Sequence, residues 1–111
     1  MLTHKELETY LLKKADAWLD YPFGEKVAVY KVGKGEQAKM FALIAEGSDP
    51  VRISLKCNPK LAEVLRERYE SVLPGYHLSK KHWNTLILTG QLTDQEVLDL
   101  IEHSYQLVTA G

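Results

Sequence analysis

The side chains with the clearest chemistry are concentrated between residues 74 and 84, where the sequence runs Pro-Gly-Tyr-His-Leu-Ser-Lys-Lys-His-Trp-Asn. Lysines neutralise phosphates, aromatic rings stack on bases, and an asparagine amide offers a donor and an acceptor to a base edge. We therefore predict nucleic-acid contacts here, with phosphates on the lysines, stacking or positioning by the aromatic residues, and base reading by the asparagine. The candidate contacts are Lys56, Lys80, Lys81, His82, Trp83 and Asn84.

The same segment has a structural explanation, which is favoured on physical grounds alone. Tyr76 and Trp83 would then be core residues packed across two strands, and Lys80-Lys81 would be a solvated turn. A third interpretation makes Tyr76 and Trp83 an aromatic hot spot for a protein partner. Salt separates the two binding hypotheses, because phosphate binding weakens as salt rises and an aromatic interface barely responds.

Three helices are predicted by their start signals. Thr3 followed by Glu6 forms a capping box, Asn58-Pro59 supplies an N-cap and a first-turn proline, and Thr93 repeats the capping box. Apolar residues at helical spacing extend the first helix to Trp18, which we interpret as part of its buried face.

The remaining apolar segments predict five strands. Proline confines the fourth strand to a sheet edge or a bulge, and Pro22-Phe23-Gly24 is interpreted as a turn with its ring in the core. The order helix, three strands, helix, two strands, helix predicts one α+β domain over residues 1–111, with helices packed on an antiparallel sheet. The predicted strands are 27–32, 40–45, 51–57, 72–78 and 83–89.

Charge is balanced overall and uneven along the chain. The 111 residues carry 14 basic and 15 acidic side chains, which excludes a whole-molecule basic field. Residues 26–60 nevertheless carry seven basic and three acidic side chains, whereas the last 18 residues carry four acidic and no basic ones. The predicted sheet is therefore basic and the predicted helices acidic.

Other chemistry is poorly supported, so we expect no enzyme, no cofactor and no metal site. His77 and His82 have no zinc-site spacing, and neither a nucleophile elbow nor a phosphate-binding glycine loop is present. Cys57 is the single cysteine and alternates with buried strand positions, which favours an inert thiol. Without a signal segment, an apolar span or a disulfide, we expect a cytoplasmic protein with no membrane contact.

Several segments in order resemble the MmcQ/YjbR family of small bacterial proteins. The resemblance implies an α+β fold similar to secretion chaperones and to the bacterial frataxin homologue, together with a DNA-binding label. It implies no catalytic residues. The matching segments are Tyr21-Pro22-Phe23-Gly24, Val29-Tyr30-Lys31-Val32, Phe41, Ile53-Ser54-Leu55-Lys56-Cys57, Pro74-Gly75-Tyr76-His77, Lys80-Lys81-His82-Trp83-Asn84 and Ser104-Tyr105.

Overall fold

The computed structural model describes residues 1–110 and contains the three predicted helices. Both capping boxes form, with the Thr3 and Thr93 hydroxyls accepting from the backbone N–H of Glu6 and Glu96. The Asn58 side chain caps the middle helix by accepting from the Lys60 and Leu61 amides. The helices are α1 (His4–Leu12), α2 (Pro59–Arg68) and α3 (Asp94–Thr109).

The strands form one antiparallel sheet in the order β1-β2-β3-β4-β6-β5. The glycine-rich turn after residue 32 joins β2 to β3 as predicted and includes a short 3₁₀ helix, Gly35–Gln37. Proline lies in β5 at the sheet edge, which confirms the prediction from Pro74. The strands are β1 (Ala17–Asp20), β2 (Val27–Val32), β3 (Lys39–Ala45), β4 (Arg52–Lys56), β5 (Val72–Pro74) and β6 (Trp83–Ile87).

The prediction of a long first helix with Trp18 on its buried face is wrong. Helix α1 ends at Leu12, and a positive φ of 62° at Asp16 turns the chain into β1, which adds a sixth strand. Trp18 lies opposite Lys31 in the β1–β2 pair and donates its indole N–H to the Gly33 carbonyl oxygen at 2.7 Å. The Trp18 side chain is 37% exposed.

The main core fills the space between the three helices and one face of the sheet. Its members come from α1, α3 and alternate positions of the central strands, such as Leu7, Ile101, Ile53 and Leu86. The opposite face carries no helix, and its buried residues form a second cluster of Val29, Leu43 and Trp83. Phe23 was expected in the core and is instead 62% exposed. None of the helices in the described residues is long and apolar enough to cross a membrane.

Candidate nucleic-acid interface

Residues 75–82, here called the 75–82 loop, connect β5 to β6 and carry three of the six candidate contacts, Lys80, Lys81 and His82. The loop is attached to β6 at its start, where the Gly75 N–H donates to the Trp83 carbonyl oxygen at 2.9 Å. Leu78 packs against the second cluster, so the middle of the loop is held against the helix-free face. A Cβ added at Gly75 would lie 2.6 Å from the Trp83 Cβ, which shows how closely the two segments approach.

Trp83 is a packing residue of the helix-free face. Its side chain is 7% exposed and contacts the apolar side chains of Val29 and Leu43. A ring covered in this way has no free surface on which a base could stack. The prediction that Trp83 stacks on bases is therefore wrong, and its role is structural. For Trp83, the interpretation as a core residue is the one that the structure supports.

Asn84 is also buried, at 2% exposure, and its amide is occupied inside the protein. The Oδ1 atom accepts from Arg66 Nε at 2.7 Å, and the Nδ2 group donates to the Ala62 carbonyl oxygen at 3.4 Å. Asn84 faces α2, because its neighbour Trp83 occupies the other face and side chains alternate along a strand. The prediction that Asn84 reads a base edge is therefore also wrong, and its role is structural.

Arg66 on α2 fixes the end of the loop. Besides its bond to Asn84, its guanidinium donates to the carbonyl oxygens of Lys80 and Trp83, the latter at 3.1 Å. This role could not be predicted from the sequence, because Arg66 lies among the alternating charges of α2, a pattern typical of a solvated helix face.

The other side of the loop is tied to β4. The Cys57 N–H donates to the His82 carbonyl oxygen at 2.8 Å, and the His82 N–H donates to Ser79 across a turn. Nearby, the buried Ser104 hydroxyl accepts from the Lys56 N–H at 3.0 Å and donates to the Phe41 carbonyl oxygen. The Cys57–His82 backbone bond therefore ties the loop to the end of β4, and the Ser104 hydroxyl ties that end to Phe41 in β3.

The lysines of this region lie at one end of the sheet. Lys56 is half-buried opposite Trp83 in the β4–β6 pair, while Lys80, Lys81 and His82 are exposed in the loop. The β2–β3 hairpin adds two exposed lysines at the same end, which the sequence did not connect with the site. We call this set the basic end: Lys34, Lys39, Lys56, Lys80 and Lys81.

Charges at the basic end are left unneutralised by the protein itself. In residues 1–110 the ion pairs involve other groups, and none includes a lysine of the basic end. On the helix side, by contrast, Lys14 pairs with Glu102. The hydrogen bond from Lys14 lowers the pKa of the Glu102 carboxyl. The five lysines of the basic end are therefore available to an external anion, as are exposed cations elsewhere, such as Lys5 and Lys13.

The structure also bears on the other candidate chemistries. Burial raises the pKa of the Cys57 thiol to about 11, so this thiol is protonated at neutral pH. Burial lowers the pKa of His103, whose Nε2 accepts from the Asn58 N–H at 3.1 Å. Among residues 1–110, no group of three or more histidine, cysteine or acidic side chains converges to hold a metal ion.

These features define a class of small α+β proteins with three helices on one face of a six-stranded antiparallel sheet and a basic loop at one end. The family model YjbR matches residues 12–107, and the chain belongs to this family. It is 35% identical over 109 residues to the uncharacterized protein YjbR of Escherichia coli strain K12, covering 95% of this chain and 86% of that protein. It is 29% identical over 117 residues to the uncharacterized protein YyaQ of Bacillus subtilis, covering 96% and 98%.

Solved structures give the same assignment. The crystal structure of the Deinococcus radiodurans protein DR2400, with the domain DUF419, superposes with a TM-score of 0.93 at 37% identity, covering 98% of this chain and 80% of that chain. A crystal structure of a Pseudomonas syringae protein superposes with a TM-score of 0.79 at 30% identity, covering 96% and 99%. Both the predicted family and the predicted α+β fold are thus confirmed. The curated relatives are named as uncharacterized proteins, so they supply no activity.

Proposed function

We propose that the protein binds DNA through the phosphate backbone, using the basic end of the sheet. The observation that carries this proposal is the set of unpaired lysines in and beside a loop that Arg66 and Cys57 hold in place. Phosphate contacts position a protein on DNA without reading sequence. Because Trp83 and Asn84 are buried, we expect little preference among duplex sequences.

The number of lysines sets the expected strength and salt dependence. If Lys56, Lys80 and Lys81 each neutralise one phosphate, log K falls with log salt at a slope of about −2.7. Raising salt from about 50 to about 200 mM then weakens binding about 40-fold. Binding of this kind is modest in affinity and sensitive to ionic strength.

Fluorescence anisotropy of a labelled duplex tests the proposal. The Lys80→Ala/Lys81→Ala variant removes two contacts, so its salt slope should be shallower than that of the wild-type protein by about 1.8. The matched control is Lys5→Ala/Lys13→Ala, which removes the same charge from exposed positions in and after α1. This control should keep the wild-type slope.

Two outcomes contradict the proposal. One is an absence of duplex binding by the wild-type protein at low salt. The other is equal loss of binding by the loop variant and the α1 control, which would show dependence on net charge alone. Binding of a protein partner that ignores salt would instead favour an adaptor built on the exposed Tyr76.

A further inference from the structure

Tyr76 is an exposed aromatic residue of the 75–82 loop. Its side chain is 70% exposed, whereas Trp83 at the base of the same loop is covered. Single apolar residues are common on protein surfaces, so exposure alone does not indicate a binding role for a tyrosine ring. Tyr76 differs because its backbone is held in a fixed position.

Tyr76 is held on the helix-free face by its own backbone. Its N–H donates to Thr85 Oγ1 at 3.2 Å, and the Thr85 hydroxyl is hydrogen-bonded to that of Ser54 at 2.8 Å. Gly75 is fixed in turn by its bond to the Trp83 carbonyl oxygen. The segment that carries the ring is therefore anchored to β6 before any partner binds, which reduces the entropy lost on binding.

A second ring lies against Tyr76. His77 adopts a left-handed backbone with φ of 57°, and its ring centroid lies 4.0 Å from that of Tyr76. The two residues form one exposed aromatic surface, which is followed three residues later by Lys80 and Lys81. Stacking rings beside free cations are the two components that bind single-stranded nucleic acid without sequence preference.

We infer that Tyr76 and His77 stack on unpaired bases, so that the DNA preferred at the basic end is single-stranded. This inference rests on the phosphate-binding function proposed above and adds a preference for strand state. Base faces are occupied by neighbouring bases within an intact duplex, so the exposed rings gain a partner only where bases are unpaired. The lysines bind the phosphates of both duplex and single-stranded DNA, whereas the two rings contact only single-stranded DNA.

The test compares an oligothymidylate of about 16 nucleotides with a duplex of equal length, each fluorescently labelled, at low salt. Tyr76→Ala should weaken binding of the oligothymidylate about 5- to 150-fold and change duplex binding less than about twofold. Tyr76→Phe keeps the ring and should bind both as the wild-type protein does. Because Tyr76 is exposed, both variants should unfold at nearly the wild-type temperature.

The outcomes separate this inference from the proposal beneath it. If Tyr76→Ala binds the oligothymidylate normally while Lys80→Ala/Lys81→Ala loses both DNAs, stacking is overturned and phosphate binding stands. If Tyr76→Phe is as weak as Tyr76→Ala, the hydroxyl acts instead of the ring face, and stacking is again overturned. If the wild-type protein binds neither DNA, both proposals fail.

Discussion

Replacing Arg66 with methionine tests how the loop is held. The substitution keeps an apolar stem and removes three donated hydrogen bonds, to Asn84 Oδ1 and to the carbonyl oxygens of Lys80 and Trp83. The Trp83 carbonyl oxygen keeps its bond from the Gly75 N–H, and Lys80 lies in an exposed part of the loop. The Asn84 side chain is 2% exposed, so water cannot replace the lost donor at its Oδ1 atom. The main cost of the substitution is therefore the loss of a charged donor to a buried acceptor.

The structure gives a magnitude for this cost. A hydrogen bond from a charged donor contributes about 1.5–3 kcal/mol, and the two carbonyl contacts add about 1 kcal/mol together. We expect Arg66→Met to lower the free energy of unfolding by about 2.5–4 kcal/mol, and the melting temperature by about 10–20 °C. The amide of Cys57, which donates to His82 in the loop, should also exchange faster with solvent.

Two further variants make the measurement decisive. Adding Asn84→Leu to Arg66→Met removes the unsatisfied acceptor and should recover part of the lost stability, since deleting both partners costs less than deleting one. Arg68→Met, at an exposed position of the same helix, should change stability by less than about 0.5 kcal/mol. An Arg66→Met variant as stable as Arg68→Met in urea denaturation would refute this account of the loop.

Three other predictions concern packing and pH. Trp83→Ala should cost about 3–5 kcal/mol in urea denaturation because it empties the second cluster, whereas a near-neutral result would mean that the ring is exposed. Gly75→Ala should cost about 1–3 kcal/mol in the same assay, because the new methyl group meets the Trp83 Cβ at 2.6 Å. Glu102 has a pKa lowered mainly by Lys14, so it contributes stability above its unfolded pKa and loses it as pH falls below about 4.3. Thermal unfolding of Glu102→Gln should therefore show a smaller loss of stability on acidification than the wild-type protein, and an unchanged loss would contradict the ion pair.

Local signals allowed the helices and most strands to be predicted from the sequence. Capping boxes at Thr3 and Thr93 involve residues three apart, and both form as expected. Strand β1 was missed because Trp18 continues the helical spacing of α1, while the pairing that makes it a strand involves Lys31. That pairing is non-local, and no spacing within the segment reveals it.

The candidate site was predicted as a segment but not in its details. Lysines at adjacent positions beside a turn indicated an exposed basic loop, which the structure contains. The burial of Trp83 and Asn84 depends on Val29 and Leu43 on one face and on Arg66 of α2 on the other. Those partners are distant in the sequence, so alternation along β6 alone could not assign either side chain.

The central claim is that DNA contacts the basic end, and an NMR titration tests it most directly. Backbone amide signals of isotope-labelled protein would be followed as unlabelled DNA is added at low salt. The account predicts shifts at residues 76–82 and at the other lysines of the basic end, Lys34, Lys39 and Lys56. These shifts should reverse when salt is raised, with the signals of α3 unmoved. Shifts centred on α1 or α3, or no shifts with DNA in excess, would contradict it.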